Sequence, residues 1–294
     1  MHLVDIDDLT TDELHAVLDR AAELRAASEA GDPEQPLADQ TLAMIFEKPS
    51  TRTRVSFETG MTQLGGHAIF LGPDDIHLGH GEPLRDTARV LSRYVEFIMA
   101  RVFDHADVVE LAEFATVPVI NGLSDDAHPC QTLGDLLTIR DQFGTLDVDV
   151  AWVGDGNNVA QSLALGAAMT DLDLTIATPE GYEIDDSVRK RTVGLDSPPA
   201  ETNDPAAAVA DADLVYTDVW VSMGEEGDRE QKLRAFEGFQ VTEAVLDGRP
   251  LMHCLPAHRG EEVTAAVMEG DHLAWDQAEN RMHAQKGLLA WLAA

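Results

Sequence analysis

Thr41-Leu42-Ala43-Met44-Ile45-Phe46-Glu47-Lys48-Pro49-Ser50-Thr51-Arg52-Thr53-Arg54 passes from an apolar hexapeptide through a polar turn into a stretch with helical spacing. His67-Ala68-Ile69-Phe70-Leu71 follows after room for one helix, beginning at about Thr53, so the whole reads as a βαβ unit. Short unbroken apolar runs between turn residues mark strands buried on both faces, and therefore a parallel sheet. The alternation extends outward in both directions. Upstream, Leu9-Thr10-Thr11-Asp12-Glu13-Leu14 opens a helix with capping chemistry and apolar positions at Leu14, Val17, Leu18 and Leu24, closed by Gly31-Asp32-Pro33-Glu34. Downstream, Asp86 to Tyr94 reads as a helix, and Phe97 to Arg101 and Val117 to Asn121 as strands.

A second series begins after a helix from Pro129 to Phe143. Val148 to Gly154, Leu172 to Ala177, Leu214 to Asp218 and Pro250 to Cys254 read as strands, Asn158 to Met169 as a helix, and Arg281 to Ala294 as a terminal helix. The fold class is α/β, with two doubly wound parallel-sheet domains joined by helices. A chain of 294 residues is long enough for both. The expected spans are 1–127 for the first domain, 128–143 for the connecting helix, 144–278 for the second domain, and 279–294 for a C-terminal helix packing back on the first. Ligands of such sheets sit at the carboxyl ends of strands, so the active site is expected in the crevice between the domains.

Charge is the compositional anomaly. With 54 Asp plus Glu against 20 Lys plus Arg, the formal charge is −34, and the acids recur along the whole chain instead of in a tail. Repulsion of that size destabilises a compact state in dilute buffer, but molar salt shortens the Debye length to about 3 Å and screens it. The surface thus reads as adapted to a saline cytoplasm, and it argues against nucleic-acid and anionic-membrane partners. Two cysteines, Cys130 and Cys254, form neither a disulfide framework nor a zinc spacing, which points to a reducing cytosol. No signal-like N-terminus and no apolar run of 18 residues occurs, so a cytoplasmic location is expected.

Three stretches at strand ends carry chemistry. Ser50, Thr51 and Thr53 interleave hydroxyls with the Arg52 and Arg54 guanidiniums just before a helix. Helix N–H groups, the helix dipole and bidentate arginine all favour a doubly charged phosphate there. His128-Pro129-Cys130-Gln131 opens the connecting helix with imidazole and amide donors suited to a carbonyl oxygen, and Arg101 ends its own strand as a third donor.

Together these stretches resemble the carbamoyltransferase family, in which Ser-Thr-Arg-Thr-Arg and His-Pro-x-Gln are hallmarks. Asp218-Val219-Trp220-Val221-Ser222-Met223-Gly224 and His253-Cys254-Leu255-Pro256 resemble its ornithine-using branch, as do Asp155-Gly156-Asn157-Asn158 and Glu279-Asn280-Arg281. The resemblance implies a first domain for carbamoyl phosphate and a second for ornithine. It implies that Ser50, Thr51, Arg52 and Thr53 bind the phosphate, that Arg101, His128 and Gln131 bind the carbamoyl group, and that Cys254, Leu255 and Arg281 complete that site. Asn158, Asp218, Ser222 and Met223 would hold ornithine. Arg101, His128, Asp218, Cys254 and Arg281 would be catalytic, an Asp218–Cys254 pair orienting the amine and receiving its proton. The implied reaction is transfer of the carbamoyl group to the side-chain amine of L-ornithine, giving L-citrulline and phosphate. Positioning and oxyanion donors suffice for it, so no metal and no organic cofactor is expected. The family also implies a homo-oligomer built from trimers with sites shared between subunits. His77 is the candidate for that shared contact, binding carbamoyl phosphate in the neighbouring subunit's site, where bacterial relatives often carry a lysine and a glutamine.

Other readings remain in view. Gly154-Asp155-Gly156-Asn157-Asn158-Val159 resembles the start of a dinucleotide fingerprint, but bulky Val159 replaces its third glycine. Within the family, putrescine and N-acetylornithine are alternative acceptors, neither needing the full Asp218 and Ser222-Met223-Gly224 set. A non-catalytic, ligand-binding paralogue is the other alternative.

Overall fold

The computed structural model describes residues 1–73, 82–195, 197–222, 227 and 229–294. His77 and Met223 lie outside the described residues. The chain divides into two compact units, Met1–Leu137 with Glu279–Ala294, and Thr138–Ala278.

The first unit opens with α1 (Thr11–Glu29), whose N-cap Thr10 and Glu13 form the capping box the sequence announces. There follow β1 (Thr41–Phe46), α2 (Thr51–Gln63), β2 (His67–Leu71), α3 (Leu84–Leu91), β3 (Phe97–Arg101), α4 (His105–Phe114), β4 (Val119–Leu123) and the start of α5 (Pro129–Phe143). The four strands are parallel in the order β2-β1-β3-β4. β3 is buried throughout and β1 at five of its six positions, whereas edge strand β2 alternates exposed and half-buried residues. Leu3 pairs with the outer edge of β4, its N–H reaching Val119 O at 2.8 Å and its carbonyl accepting from Asn121 at 2.7 Å. That contact covers an otherwise open edge.

The second unit contains β5 (Asp149–Val153), α6 (Asn158–Ala168), β6 (Asp173–Ala177), α7 (Asp186–Thr192), β7 (Ala200–Thr202), α8 (Pro205–Val209), β8 (Leu214–Thr217), α9 (Arg229–Ala235), α10 (Glu243–Leu246), β9 (Leu251–His253) and α11 (Ala265–Glu269). Its sheet is also parallel, ordered β7-β6-β5-β8-β9. One core cluster joins Ala151, Val153 and Val215 of the sheet to Trp220, Phe236 and Phe239. Both sheets have a switch point, between β1 and β3 and between β5 and β8, where consecutive connections leave in opposite directions and a crevice opens at the strand ends.

α12 (Ala274–Leu292) starts seven residues earlier than the sequence reading placed it. Asp276 and Glu279 left no apolar periodicity there, but His272 Nδ1 accepts from the Ala274 N–H at 3.2 Å and starts the helix. The three-residue edge strand β7 was not anticipated either, because Pro198-Pro199 precedes it and no apolar run marks it. No helix among the described residues is long and apolar enough to cross a membrane.

Candidate active site

In the first unit, three adjacent strand ends converge. β1 delivers the chain into α2, and Ser50 is the N-cap of that helix, its Oγ accepting from the Thr53 N–H at 3.2 Å and donating to Thr53 Oγ1 at 3.1 Å. The first turn of α2 holds no acidic residue, so the positive end of its dipole is left for an anion. Phe46 pairs with Arg101 across the sheet, and the Glu47 N–H donates to Arg101 O at 2.9 Å, which ties the loop to the end of β3. Arg101 is buried and its Nη1 reaches Thr53 Oγ1 at 3.5 Å. Arg52 rides on the first turn, half-buried. Arg54 does not join it. Its guanidinium lies 3.9 Å from the Phe70 ring centroid and its Nε donates to Glu58 at 2.9 Å, so Arg54 is engaged with its own helix and with β2.

β4 leads into His128 and α5. Burial, followed by the Arg281 and Arg101 cations, holds His128 well below the ordinary imidazole value of 6.5. His128 is therefore neutral at pH 7 and offers one ring N–H as a donor. Gln131 gives its Nε2 to Asp135 at 2.8 Å and accepts at Oε1 from Arg281 Nη1 at 3.1 Å. This contact depends on a close approach of α5 to α12: a Cβ on Gly134 would sit 2.9 Å from Arg281 Cα. Cys130 is buried. Its thiol points to Asn121 O at 3.4 Å, and burial pushes it up to about 12.

In the second unit, the ends of β5, β8 and β9 bring Asn157, Asp218 and Cys254 together. Asn157 caps α6 through Oδ1 and gives its Nδ2 to Asp218 Oδ2 at 3.0 Å, while Cys254 Sγ donates to Asp218 Oδ1 at 2.7 Å. Asn158 begins α6 and Ser222 follows β8 by a few residues, both half-buried. Leu255 has a positive φ of 59°, costly for a branched side chain, and its N–H donates to His253 Nδ1 at 2.9 Å.

Two groups here were not singled out from sequence. Lys232 Nζ bonds Asp155 Oδ2 at 2.7 Å with both side chains buried, anchoring the loop after β5 to α9. The available signal was scarcity, since the chain has only four lysines and three of them, Lys48, Lys232 and Lys286, are buried. Gly156 explains the partial dinucleotide fingerprint: a Cβ there would lie 2.5 Å from the backbone of Glu183, so that glycine makes room for a neighbouring segment of chain instead of a pyrophosphate.

Ligand atoms of Asp218, His253 and Cys254 lie within 4.8 Å of one another. His253 nevertheless has no lone pair to give a metal. Its Nδ1 accepts from Leu255, which puts the proton on Nε2, 3.2 Å from Glu262 Oε1.

A phosphate-suited helix start beside buried guanidiniums in one α/β unit, and a carboxylate–thiol pair suited to an amine in the other, define a two-domain transferase. Residues 1–141 match the family described as aspartate/ornithine carbamoyltransferase, carbamoyl-P binding domain, and residues 146–292 its Asp/Orn binding domain. The chain belongs to the aspartate/ornithine carbamoyltransferase family. It is 63% identical over 295 residues to an ornithine carbamoyltransferase of Haloquadratum walsbyi, covering 99% of this chain and 97% of that one. An ornithine carbamoyltransferase of Archaeoglobus fulgidus is 51% identical, with 98% and 96% covered. The solved ornithine carbamoyltransferase of Pyrococcus furiosus superposes with a TM-score of 0.94 at 50% identity, covering 98% of this chain and 96% of that structure.

Proposed function

We propose that this chain transfers the carbamoyl group of carbamoyl phosphate to the side-chain amine of L-ornithine, giving L-citrulline and phosphate. The observation that carries this is the Asp218 carboxylate, held on one oxygen by Asn157 and on the other by Cys254. Such a fixed, half-satisfied anion is a docking point for an alkylammonium group and an acceptor for its proton. Ser50, Thr51, Arg52 and Thr53 bind the phosphate, and Arg101, neutral His128, Gln131 and Arg281 surround the carbamoyl group. Asn158, Ser222 and Met223 hold the amino-acid end of ornithine, and Leu255 lines the site.

An alkylamine with a reference pKa of about 10.4 arrives protonated and gives one proton to Asp218 before attacking. Addition to the carbamoyl carbon puts negative charge on its oxygen, where the His128 N–H and the Arg101 guanidinium stabilise it. The tetrahedral intermediate collapses by breaking the bond to the phosphate oxygen, and the departing phosphate takes one of the two protons on the attacking nitrogen, leaving the N–H of citrulline.

An assembly built from trimers, with the segment around His77 reaching a neighbouring subunit, belongs to the same proposal, as does a cytoplasmic location, which the two free thiols favour. Steady-state kinetics of Asp218→Asn test the assignment. The amide keeps the shape but loses the base, so kcat should fall about 10²-fold or more while KM for carbamoyl phosphate holds. Unchanged kcat would remove Asp218 from the reaction.

A further inference from the structure

The chain that leaves the candidate active site through Leu255 turns back on itself at His258 to Val263. The Glu261 N–H donates to His258 O at 2.9 Å and the Gly260 N–H to Val263 O at 2.8 Å, with Gly260 at a φ of 96°. Outside this turn, the Val241 N–H donates to Glu262 O at 2.8 Å and Gln240 Nε2 to Glu261 O at 2.8 Å. The backbone is thus fixed at both ends, and the His258, Glu261 and Glu262 side chains are gathered with one ligand atom of each within 4.8 Å of the others.

We propose that these three side chains form a binding site for one divalent cation of the class that takes imidazole nitrogen together with carboxylate oxygen, such as Zn²⁺. Two independent features carry this beyond the clustering. First, His258 Nδ1, Glu261 Oε2 and Glu262 Oε2 are all shielded from solvent and have no hydrogen-bond partner among the described residues. Second, Glu262 is 0% exposed. Its Oε1 accepts from the His258 N–H and from His253 Nε2, leaving Oε2 as a buried, unsatisfied carboxylate oxygen, which is costly unless a positive charge meets it.

Arg229 does not fill that role. It pairs with the other oxygen of Glu261, Oε1, and leaves Oε2 facing His258 Nδ1 at 3.9 Å. Donors around a tetrahedral zinc ion sit about 2.0–2.2 Å from it, so neighbouring donors are about 3.4 Å apart. The 3.9 Å pair has to close by about half an ångström, and no pair of a cluster that lies within 4.8 Å by more than about 1.4 Å, which side-chain rotation supplies. His258 is only half-buried, which gives an ion a route in. The cation would clamp the turn that follows Cys254 and Leu255 and hold it to the segment ending in Val241.

The test is calorimetric titration of ZnCl₂ into chelator-stripped protein in molar KCl, where the salt suppresses loose binding to the acidic surface. The wild-type chain should take up one tightly bound ion per chain and gain thermal stability. His258→Ala and Glu261→Gln, with folding checked by circular dichroism, should each weaken binding at least tenfold. Cys254→Ser should leave it unchanged. Absence of saturable uptake by the wild-type chain, uptake insensitive to both variants, or uptake lost with Cys254→Ser would overturn the site; the last would assign the ion to the thiol.

Discussion

Gly134→Ala puts a methyl group where α5 and α12 nearly touch. The added carbon would lie 2.9 Å from Arg281 Cα, 3.1 Å from its Cβ and 3.2 Å from its N, where ordinary contact begins at 3.4 Å. Backbone cannot swing aside as a side-chain tip can, so the two helices must separate by about half an ångström. Overpacking of this kind costs about 1–3 kcal/mol. Alanine returns about 1 kcal/mol through its better helix propensity, leaving a net loss of about 0–2 kcal/mol. Function should suffer more than stability. The Arg281 Nη1 to Gln131 Oε1 contact, now 3.1 Å, would stretch past hydrogen-bonding range. Losing a bond to a charged group costs about 1.5–3 kcal/mol, or roughly a tenfold to hundredfold fall in kcat/KM for carbamoyl phosphate. Initial-rate kinetics with each substrate varied, beside a thermal melt, reads both numbers. A variant stabilised by the full propensity gain of about 1 kcal/mol, with unchanged kinetics, would refute the close approach and the role given to Arg281.

Three further outcomes are expected. Arg52→Ala should lower kcat/KM for carbamoyl phosphate by about 2–5 kcal/mol in transition-state binding, and unchanged kinetics would take the loop after β1 out of the site. His128 sits below its ordinary 6.5 in the folded chain, so the unfolded chain binds the proton first as pH falls. Stability should therefore be full above about pH 6.5 and drop below it by about 1.4 kcal/mol per pH unit, a slope that melting curves of His128→Gln should show reduced. A chain with a formal charge of −34 should melt at a clearly higher temperature in molar KCl than in dilute buffer, and equal melting points would contradict the saline reading of its surface.

Much of the architecture was legible because buried parallel strands are written as apolar runs: β1, β2, β3 and α5 fall at the residues the pattern marks. Short polar elements were not legible. β7 owes its existence to pairing with β6, and α12 begins on a histidine cap that no periodicity announces. The site divides in the same way. Ser50, Thr53 and Arg101 do meet, as do Gln131 with Arg281 and Asp218 with Cys254. What the sequence could not show was how side chains are shared out: that Arg54 is taken by Glu58 and Phe70, and that Asn157 is the partner of Asp218. Those choices are set by distances across the fold.

Citrulline formation from carbamoyl phosphate, measured in molar KCl with ornithine, putrescine, N-acetylornithine and aspartate as parallel acceptors, is the experiment to make first. Turnover with ornithine alone is the predicted result. Preferred turnover with any other acceptor would overturn the role given to Asp218 and Cys254 in holding ornithine, and no turnover with any of the four would contradict the transferase activity itself.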